Sequence, residues 1–484
     1  MNEEFKLKPE QQVAVDAVNK FLDSSEDDIF TLSGVGGAGK TTCIRKALEG
    51  RSNVIGATIS HSAKFVLAQS LDGIASCLTI ATLLGLKVFI NNEGEISFVV
   101  KERHARSLPL PIESANILVV DECSMIDEET FMRIMAMKNS WTKVIFLGDP
   151  YQLPPITGDG DSKTFDYTKA ELLNAVRYTG PIVDLGLVIR AEIDKLNEDK
   201  TASKNVINNW MTDDLGYESR TSQVDENGSG VIFLNDIDKA VEIAVTQFKE
   251  NEDPEAMRLI AYKNSSITKV NEVIRAQIYH DEDLMEENED GEMELMLPEF
   301  MPGELVISDG GYSVRDENDR SHSIIFNNQT FKVKSYLEIK NGPAGIPSLA
   351  MSLDPHVPVP AGAEVYVMDY ENGRYEYWEN VNQLKKNAKS NGRQWPNYYN
   401  YVGQFAWFNY AYAINSHKGQ GRTFRDAIVF ENDIFNIQKN TLKQKLQAMY
   451  VACTRASRRI YIYNARSRVD QSLVPDFVRE ELGI

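Results

Sequence analysis

Residues 34–42 read GVGGAGKTT, so that Gly34, Gly36, Gly37, Ala38 and Gly39 lead directly into Lys40, Thr41 and Thr42. A loop of this composition turns its backbone N–H groups inward around a phosphate chain without Cβ clashes. Lys40 then supplies a point charge to the β and γ phosphates, and Thr41 offers a hydroxyl to Mg²⁺. The segment IFTL at 29–32 precedes it and CIRKAL at 43–48 follows, which predicts strand, loop and helix in the order phosphate binding requires. A Gly-rich turn that merely punctuates a helix is the bland alternative. The loop does not say what work hydrolysis would drive.

A second pair of chemical residues, Asp121 and Glu122, follows the apolar run NILVV at 116–120 and therefore stands at the end of a predicted core strand. Adjacent carboxylates there suit two tasks: one holds Mg²⁺, and the other takes a proton from an attacking water. The next predicted strand, TKVIFL at 142–147, runs into LGDPYQLPP at 147–155 and brings Asp149 and Gln152 to the same lip. A glutamine amide donates and accepts, so Gln152 could hold the lytic water or report its loss. A Gly-Asp-Pro turn with a solvated glutamine is the alternative.

These residues need a frame, and 484 residues with 42% hydrophobic content suffice for three or four domains. The first ten residues are charged and no apolar run is long enough to span a bilayer, so a soluble cytoplasmic chain without membrane contact is expected. Cys43, Cys77, Cys123 and Cys453 lack metal or disulfide spacing, which fits a reducing compartment. The net charge of −20 argues against a polyanion partner until its distribution is considered. Twelve Asp and Glu with no Lys or Arg fall between Ala276 and Val314, leaving −8 for the rest and room for local basic surfaces. That acidic stretch reads as a solvated linker or helix face without strand context, or else as a docking tail.

Strand-like runs at 53–59, 116–120, 142–147, 231–234, 258–261, 427–430 and 459–463 alternate with helical spacing. That order predicts two parallel, doubly wound sheets with ligands at the strand C-terminal ends. Residues 88–100, VFINNEGEISFVV, alternate around Asn-Glu-Gly as a β-hairpin does. Residues 303–370 carry short strands broken by Gly and Pro, suggesting a small barrel, and 370–389 are helical and charged. Nine aromatics crowd residues 395–412, as either a packed interface or a base-stacking surface.

Taken together, GVGGAGKTT, DECSM and GDPYQLPP resemble helicase motifs I, II and III of superfamily 1, in the form of its RecD and Dda-like branch. The resemblance runs nearly the whole chain. LKPEQ at 7–11 is similar to the Q motif, which implies that Gln11 reads adenine. SHSAK at 60–64 and TIATL at 79–83 resemble motifs Ia and Ib, implying single-stranded DNA contacts for Ser60, His61, Lys64, Thr79 and Thr82. Ile59 and Ala81 depart there from the usual proline and histidine. Arg177 stands where the family places an arginine on the γ-phosphate. Asn264, in a segment similar to the start of the second motor domain, and Ser416, His417 and Gly419 in INSHKGQG are implied to face DNA or nucleotide. YVACTRA at 450–456 resembles motif VI, with Arg455 as its arginine finger.

The resemblance implies an ATP-dependent helicase translocating on single strands, 5′→3′ in the Dda-like branch, with ATP and Mg²⁺ between two RecA-like sheets. It implies RecA-like segments at 1–86 and 113–190, then 191–300 and 409–484. A pin would occupy 87–112, an SH3-like barrel 301–372 and a helical tower 373–408. Partners would be single-stranded and fork DNA, with single-strand-binding or replication proteins beside a monomeric motor in the cytoplasm, that of the host if the chain is phage-encoded. Phe98 in the hairpin could wedge the fork or face the hairpin's own core. An ATP-gated remodeller or loading factor would carry the same motor residues and would not depend on the hairpin. A nuclease is disfavoured, since no separate carboxylate cluster has metal-ligand spacing.

Overall fold

The computed structural model describes residues 7–484 except 92, 94, 101–108, 156–159, 175–179, 199–219, 288–292, 317, 319, 361–362 and 467–468. Its two parallel sheets come from the apolar, β-branched runs. The first has the order Ala75–Thr79, Val54–Thr58, Ile117–Val120, Lys143–Gly148, Ile29–Gly34 and Thr168–Leu172, with every neighbouring pair parallel. Ile29–Gly34, Val54–Thr58 and Ile117–Val120 are buried at every residue. Continuous burial, rather than alternation, is what a sheet covered on both faces requires. One face packs Val15, Val18 and Phe21 of the helix Pro9–Asp23 against Leu32 and Ile44. The other packs Phe131 and Ile134 of Glu128–Met137 against Val120 and Phe146.

The second sheet has the order Ala413–Asn415, Met257–Ala261, Phe424–Phe430, Ala456–Tyr463, Gly230–Leu234 and Gln223–Val224, all parallel except the last pair. Helices Pro181–Glu198, Ile237–Glu250 and Leu442–Cys453 pack on it through Ile189, Ala244 and Leu446. The expected α/β class with two doubly wound sheets is therefore present. Asp121, Asp149, Asn264 and Ser416 each follow closely on a strand's C-terminal end, at the lips where ligands of such sheets sit.

Smaller pieces stand beside the sheets. Leu86–Ile90 pairs with Ile96–Val100 as an antiparallel hairpin. A five-stranded antiparallel sheet runs Val365–Met368, Ser348–Asp354, Thr330–Ile339, Leu305–Ser308 and Phe408–Tyr410. The N–H of Ala406 donates to Tyr366 O at 2.7 Å, joining the segments at its two edges. Helices Tyr370–Ser390 and Trp395–Val402 pack through Tyr377, Tyr401, Phe405 and Trp407, so much of the aromatic run is a packed interface.

The acidic stretch departs from the linker reading. Met285–Glu287 and Met293–Leu295 pair as an antiparallel hairpin of three residues a side, too short to leave a periodic signal. Glu304 is fully buried because Arg275 meets its carboxylate. Burial still holds Glu304 above the usual carboxylate range against the pull of Arg275.

Candidate nucleotide cleft and nucleic-acid interface

The phosphate loop depends on two left-handed glycines, Gly37 at φ 75° and Gly39 at φ 85°. A Cβ on Gly39 would lie 2.5 Å from Gln11 Nε2. Gln11 is buried, and that same amide donates to Ala38 O at 3.0 Å, so the side chain expected to read adenine braces the loop from behind. Lys40 Nζ donates to Gly34 O at 2.8 Å and to Val35 O at 3.1 Å, curling over the cradle that its charge suits. The left-handed cradle, the lysine above it and Thr41 in the first turn of Lys40–Ala47 fit a Mg²⁺-bound triphosphate.

Across the loop, Glu122 has φ 55°, a left-handed conformation costly for a residue with a Cβ. Its own N–H donates to Asp121 Oδ1 at 2.8 Å, which fixes the two carboxylates relative to each other. Asp149 is fully buried and accepts from Tyr450 OH at 2.7 Å, Tyr151 N at 3.1 Å and Arg190 Nη1 at 3.4 Å. Arg190 lies over the Tyr151 ring at 3.9 Å. Burial opposes its charge, but Asp149 and Tyr450 carry its pKa upward. Burial, with the hydrogen bond to Asp194, pushes Tyr151 up to about 12.

From the second sheet, Arg455 is 3% exposed, with Nε donating to Val451 O at 2.9 Å, Nη1 to Arg422 O at 3.2 Å and Nη2 to Thr454 Oγ1 at 3.1 Å. Gly419 abuts it, since a Cβ there would lie 3.9 Å from Arg455 Cγ. Gln420 reaches the opposite sheet, where its Nε2 lies 3.4 Å from Glu122 Oε2, 3.3 Å from Ser124 Oγ and 3.2 Å from Gln152 Oε1. Arg177 lies outside the described residues. Arg190 instead lines a small cavity with Val35 and Thr454, an arginine beside the phosphate loop that the sequence reading missed. Its position inside an amphipathic helix, Pro181–Glu198, made it look like an ordinary surface charge.

The residues expected to touch DNA form two groups. Ser60 caps the helix His61–Ser70 by accepting from Ala63 N at 3.1 Å, and Thr79 caps Ile80–Leu83 by accepting from Thr82 N at 3.3 Å. His61 stacks on Phe326 of the antiparallel domain at 4.0 Å and 15°, with Lys64 Nζ 5.4 Å from the same ring. Burial, reinforced by Lys64, lowers the His61 pKa, favouring the neutral imidazole. On the second sheet Asn264 opens the helix Asn264–Ile278, whose start is held by Asp433 accepting from Tyr262 N and Lys263 N, each at 2.7 Å. Ser416 Oγ donates to Ala261 O at 3.4 Å, and half-buried His417, its pKa lowered by desolvation, meets Tyr262 edge-on at 5.5 Å. A cavity of about 430 Å³ beside them is lined by Asn264, Asn271, Glu272, Tyr410, Asn415 and Lys418. Phe98 is 53% exposed, not a core residue, and pairs with Val88 away from the hairpin turn.

Among the described residues no cluster of three or more His, Cys, Asp or Glu could hold a metal ion, and no helix is long and apolar enough to cross a membrane. Residues 6–206 match the family model described as an AAA domain. An uncharacterized protein of Acanthamoeba polyphaga mimivirus is 24% identical over 513 positions, covering 93% of this chain and 98% of that one. The ATP-dependent DNA helicase Dda of Enterobacteria phage T4 is 24% identical over 288 positions, 56% of each chain. Among solved structures, the Pif1 helicase from Bacteroides in complex with ADP-AlF3 and single-stranded DNA aligns at 16% identity and a TM-score of 0.44, covering 99% of this chain and 97% of that one. Pif1 from Candida albicans aligns at 13% identity and a TM-score of 0.42, covering 99% of both.

Proposed function

We infer that this chain, a superfamily 1 helicase of the Dda and Pif1-like type, is an ATP-dependent DNA helicase that moves on single strands and parts duplexes. The observation that carries the reading is a two-sided cleft. Lys40, Asp121, Glu122 and Gln152 follow strands of one sheet, and Gln420 reaches Glu122 and Gln152 from the other. In this reading Lys40, Thr41 and Asp121 hold Mg·ATP in the cradle formed with Gly34, Gly36, Gly37, Ala38, Gly39 and Thr42. Glu122 takes the proton of the attacking water, and Gln152 orients that water. Arg455 reaches the γ-phosphate from across the cleft, with Arg177 or Arg190 as its companion. Loss of the γ-phosphate removes the charge these arginines share and lets the sheets part.

Stepping follows if Ser60, His61, Lys64, Thr79 and Thr82 grip the strand in one phase and Asn264, Ser416 and His417 in the other. We propose 5′→3′ movement by a monomeric motor in the cytoplasm, with replication or single-strand-binding proteins as partners. We also propose the hairpin as pin, the antiparallel sheet as an SH3-like domain and Tyr370–Ser390 with Trp395–Val402 as tower. Strand displacement on 5′-tailed and 3′-tailed duplexes tests the reading. Unwinding of the 5′-tailed substrate alone is expected. ATP turnover stimulated by single strands with no unwinding of either duplex would replace it with a DNA-bound remodeller.

A further inference from the structure

The helix Tyr370–Ser390 buries one face and exposes the other. Tyr377, Val381 and Ala388 are buried, the first two against Tyr401, Phe405 and Trp407. On the outer side stand three exposed rings, Tyr370, Tyr375 at 81% exposure and Trp378 at 48%. With Arg374, Asn382 and Lys386 they line an open groove of about 610 Å³, and the Arg374 guanidinium lies 5.2 Å from the Tyr370 ring centre. Single exposed rings are ordinary on a protein surface. Three on one face of one helix mark a surface that another molecule covers.

The second half of the same helix supplies charge. Residues 380–395 contain Lys385, Lys386, Lys389 and Arg393 and no Asp or Glu, in a chain of net charge −20. Lys385, Lys386 and Lys389 therefore have no acid three or four residues away to pair with, and Lys385 and Lys389, four apart, repel each other. The helix dipole favours a cation in the last turn, which accounts for Lys389 but not for Lys385 and Lys386 before it. At about 100° per residue, Arg374, Trp378, Tyr375, Lys385, Lys386 and Lys389 fall within roughly one third of the helix circumference. Glu371 shares that arc, whereas Glu376 and Glu379 lie beyond it. An apolar partner would cover the rings but strand the lysines, and an acidic peptide would pair with the lysines without needing the rings. A polyanion that carries flat, stackable groups matches both.

We propose that this outer face is a second site for single-stranded DNA, separate from the contacts assigned to Ser60, His61, Asn264 and Ser416. Bases stack on Tyr375 and Trp378, and Lys385, Lys386 and Lys389 neutralise the phosphates beside them. The base-stacking role that the sequence allowed for residues 395–412 thus falls to the helix those residues pack against, because their packing turns its free rings outward. The proposal rests on the helicase reading for DNA as the polyanion, and goes beyond it by assigning a strand contact to a helix outside both parallel sheets.

The test compares wild type with Tyr375→Ala, Trp378→Ala, Trp378→Phe and the triple variant Lys385→Ala, Lys386→Ala, Lys389→Ala. Each is titrated calorimetrically with short oligo-dT and photocrosslinked to it with mapping of the attachment site; oligo-dT-stimulated ATP turnover and Tm are measured beside them. Wild type is expected to bind two oligonucleotides per chain and to crosslink at Tyr375 or Trp378. Loss of one stacked ring should weaken the second site about 5–140-fold, with Trp378→Phe recovering most of that loss. Removing three cations should reduce the slope of log affinity against log salt at that site by about 2. The first site, ATP turnover and Tm should stay at wild-type values in every variant, since the substituted side chains are exposed. One oligonucleotide per chain overturns the proposal, as do crosslinks confined to the parallel-sheet domains or a second site unchanged in Tyr375→Ala and Trp378→Ala. Poly-glutamate that competes at the second site as strongly as oligo-dT overturns it in favour of an acidic peptide. A dimer in sedimentation that Trp378→Ala dissociates overturns it in favour of a second copy of the chain. If wild type neither binds oligo-dT nor is stimulated by it, the helicase reading fails as well, whereas a stimulated wild type that binds one strand sinks the second site alone.

Discussion

Replacing Arg455 with lysine separates what this side chain does for the fold from what it does for turnover. The guanidinium is 3% exposed and makes three hydrogen bonds, to Val451 O, Arg422 O and Thr454 Oγ1. A lysine ammonium keeps the charge but has neither the planar fork nor its span, so it replaces one or two of those bonds. With about 0.5–1.5 kcal/mol net for each bond lost, the stability cost is about 0.5–3 kcal/mol. At roughly 2–4 °C per kcal/mol for a domain of this size, Tm should fall by no more than about 12 °C, and a domain stable by about 5–15 kcal/mol remains folded. The expected kinetic loss is larger. An arginine that reaches the γ-phosphate only as the cleft closes contributes on the order of 10³ in kcat, about 4 kcal/mol of transition-state stabilisation. Steady-state ATP turnover with saturating single strands should therefore drop about a thousandfold in Arg455→Lys while equilibrium binding of a fluorescent ATP analogue persists. Wild-type turnover in both Arg455→Lys and Arg455→Ala would remove the residue from the reaction. A loss that scales with Tm in the two variants would show that its three bonds are its whole role.

Glu122→Gln keeps the left-handed backbone and its strain unchanged, so it isolates the carboxylate; ATP binding should persist while DNA-stimulated hydrolysis falls about 10²–10⁴-fold, and near-normal hydrolysis would refute the base assignment. Phe98→Ala should forfeit roughly 1–3 kcal/mol of base stacking at a fork, slowing single-turnover unwinding more than ATP turnover. Because the ring is 53% exposed, Tm should hardly move, and equal unwinding by both proteins would exclude it as the wedge. Tyr450→Phe removes the 2.7 Å hydrogen bond to buried Asp149 across the two sheets and should cost about 1.5–3 kcal/mol in a denaturant titration. An unchanged midpoint there would show that the cross-sheet bond contributes nothing in solution.

Much of the cleft was legible in the chain because its parts are local. A glycine-rich loop between an apolar strand and a helix, or an acidic pair directly after NILVV, depends on neighbours only a few residues away. The same holds for the two parallel sheets, since continuous apolar runs separated by helical spacing encode a strand covered on both faces. The aromatic run at 395–412 was ambiguous for the opposite reason. A ring that packs and a ring that stacks on a base have the same sequence signature, and only the contacts of Tyr401, Phe405 and Trp407 with Tyr377 distinguish them.

Composition and spacing determined that a glycine-rich phosphate-loop sequence and an acidic pair stand at strand lips, and in what order the motif-bearing strands follow one another. Tertiary structure alone decided which side chains meet across the cleft. Gln420 stands 298 residues from Glu122 and Tyr450 301 residues from Asp149, and the Phe326 ring that covers His61 comes from the loop before the strand Thr330–Ile339 of the antiparallel sheet. The short acidic hairpin and the burial of Glu304 against Arg275 were likewise hidden. A motif fixes a residue's type and its order in the chain, and carries no signal of the distant partner that it meets. The roles of these residues are set by the relative placement of separately folded layers, and that placement is fixed by the summed packing of many apolar residues rather than by any short stretch of chain.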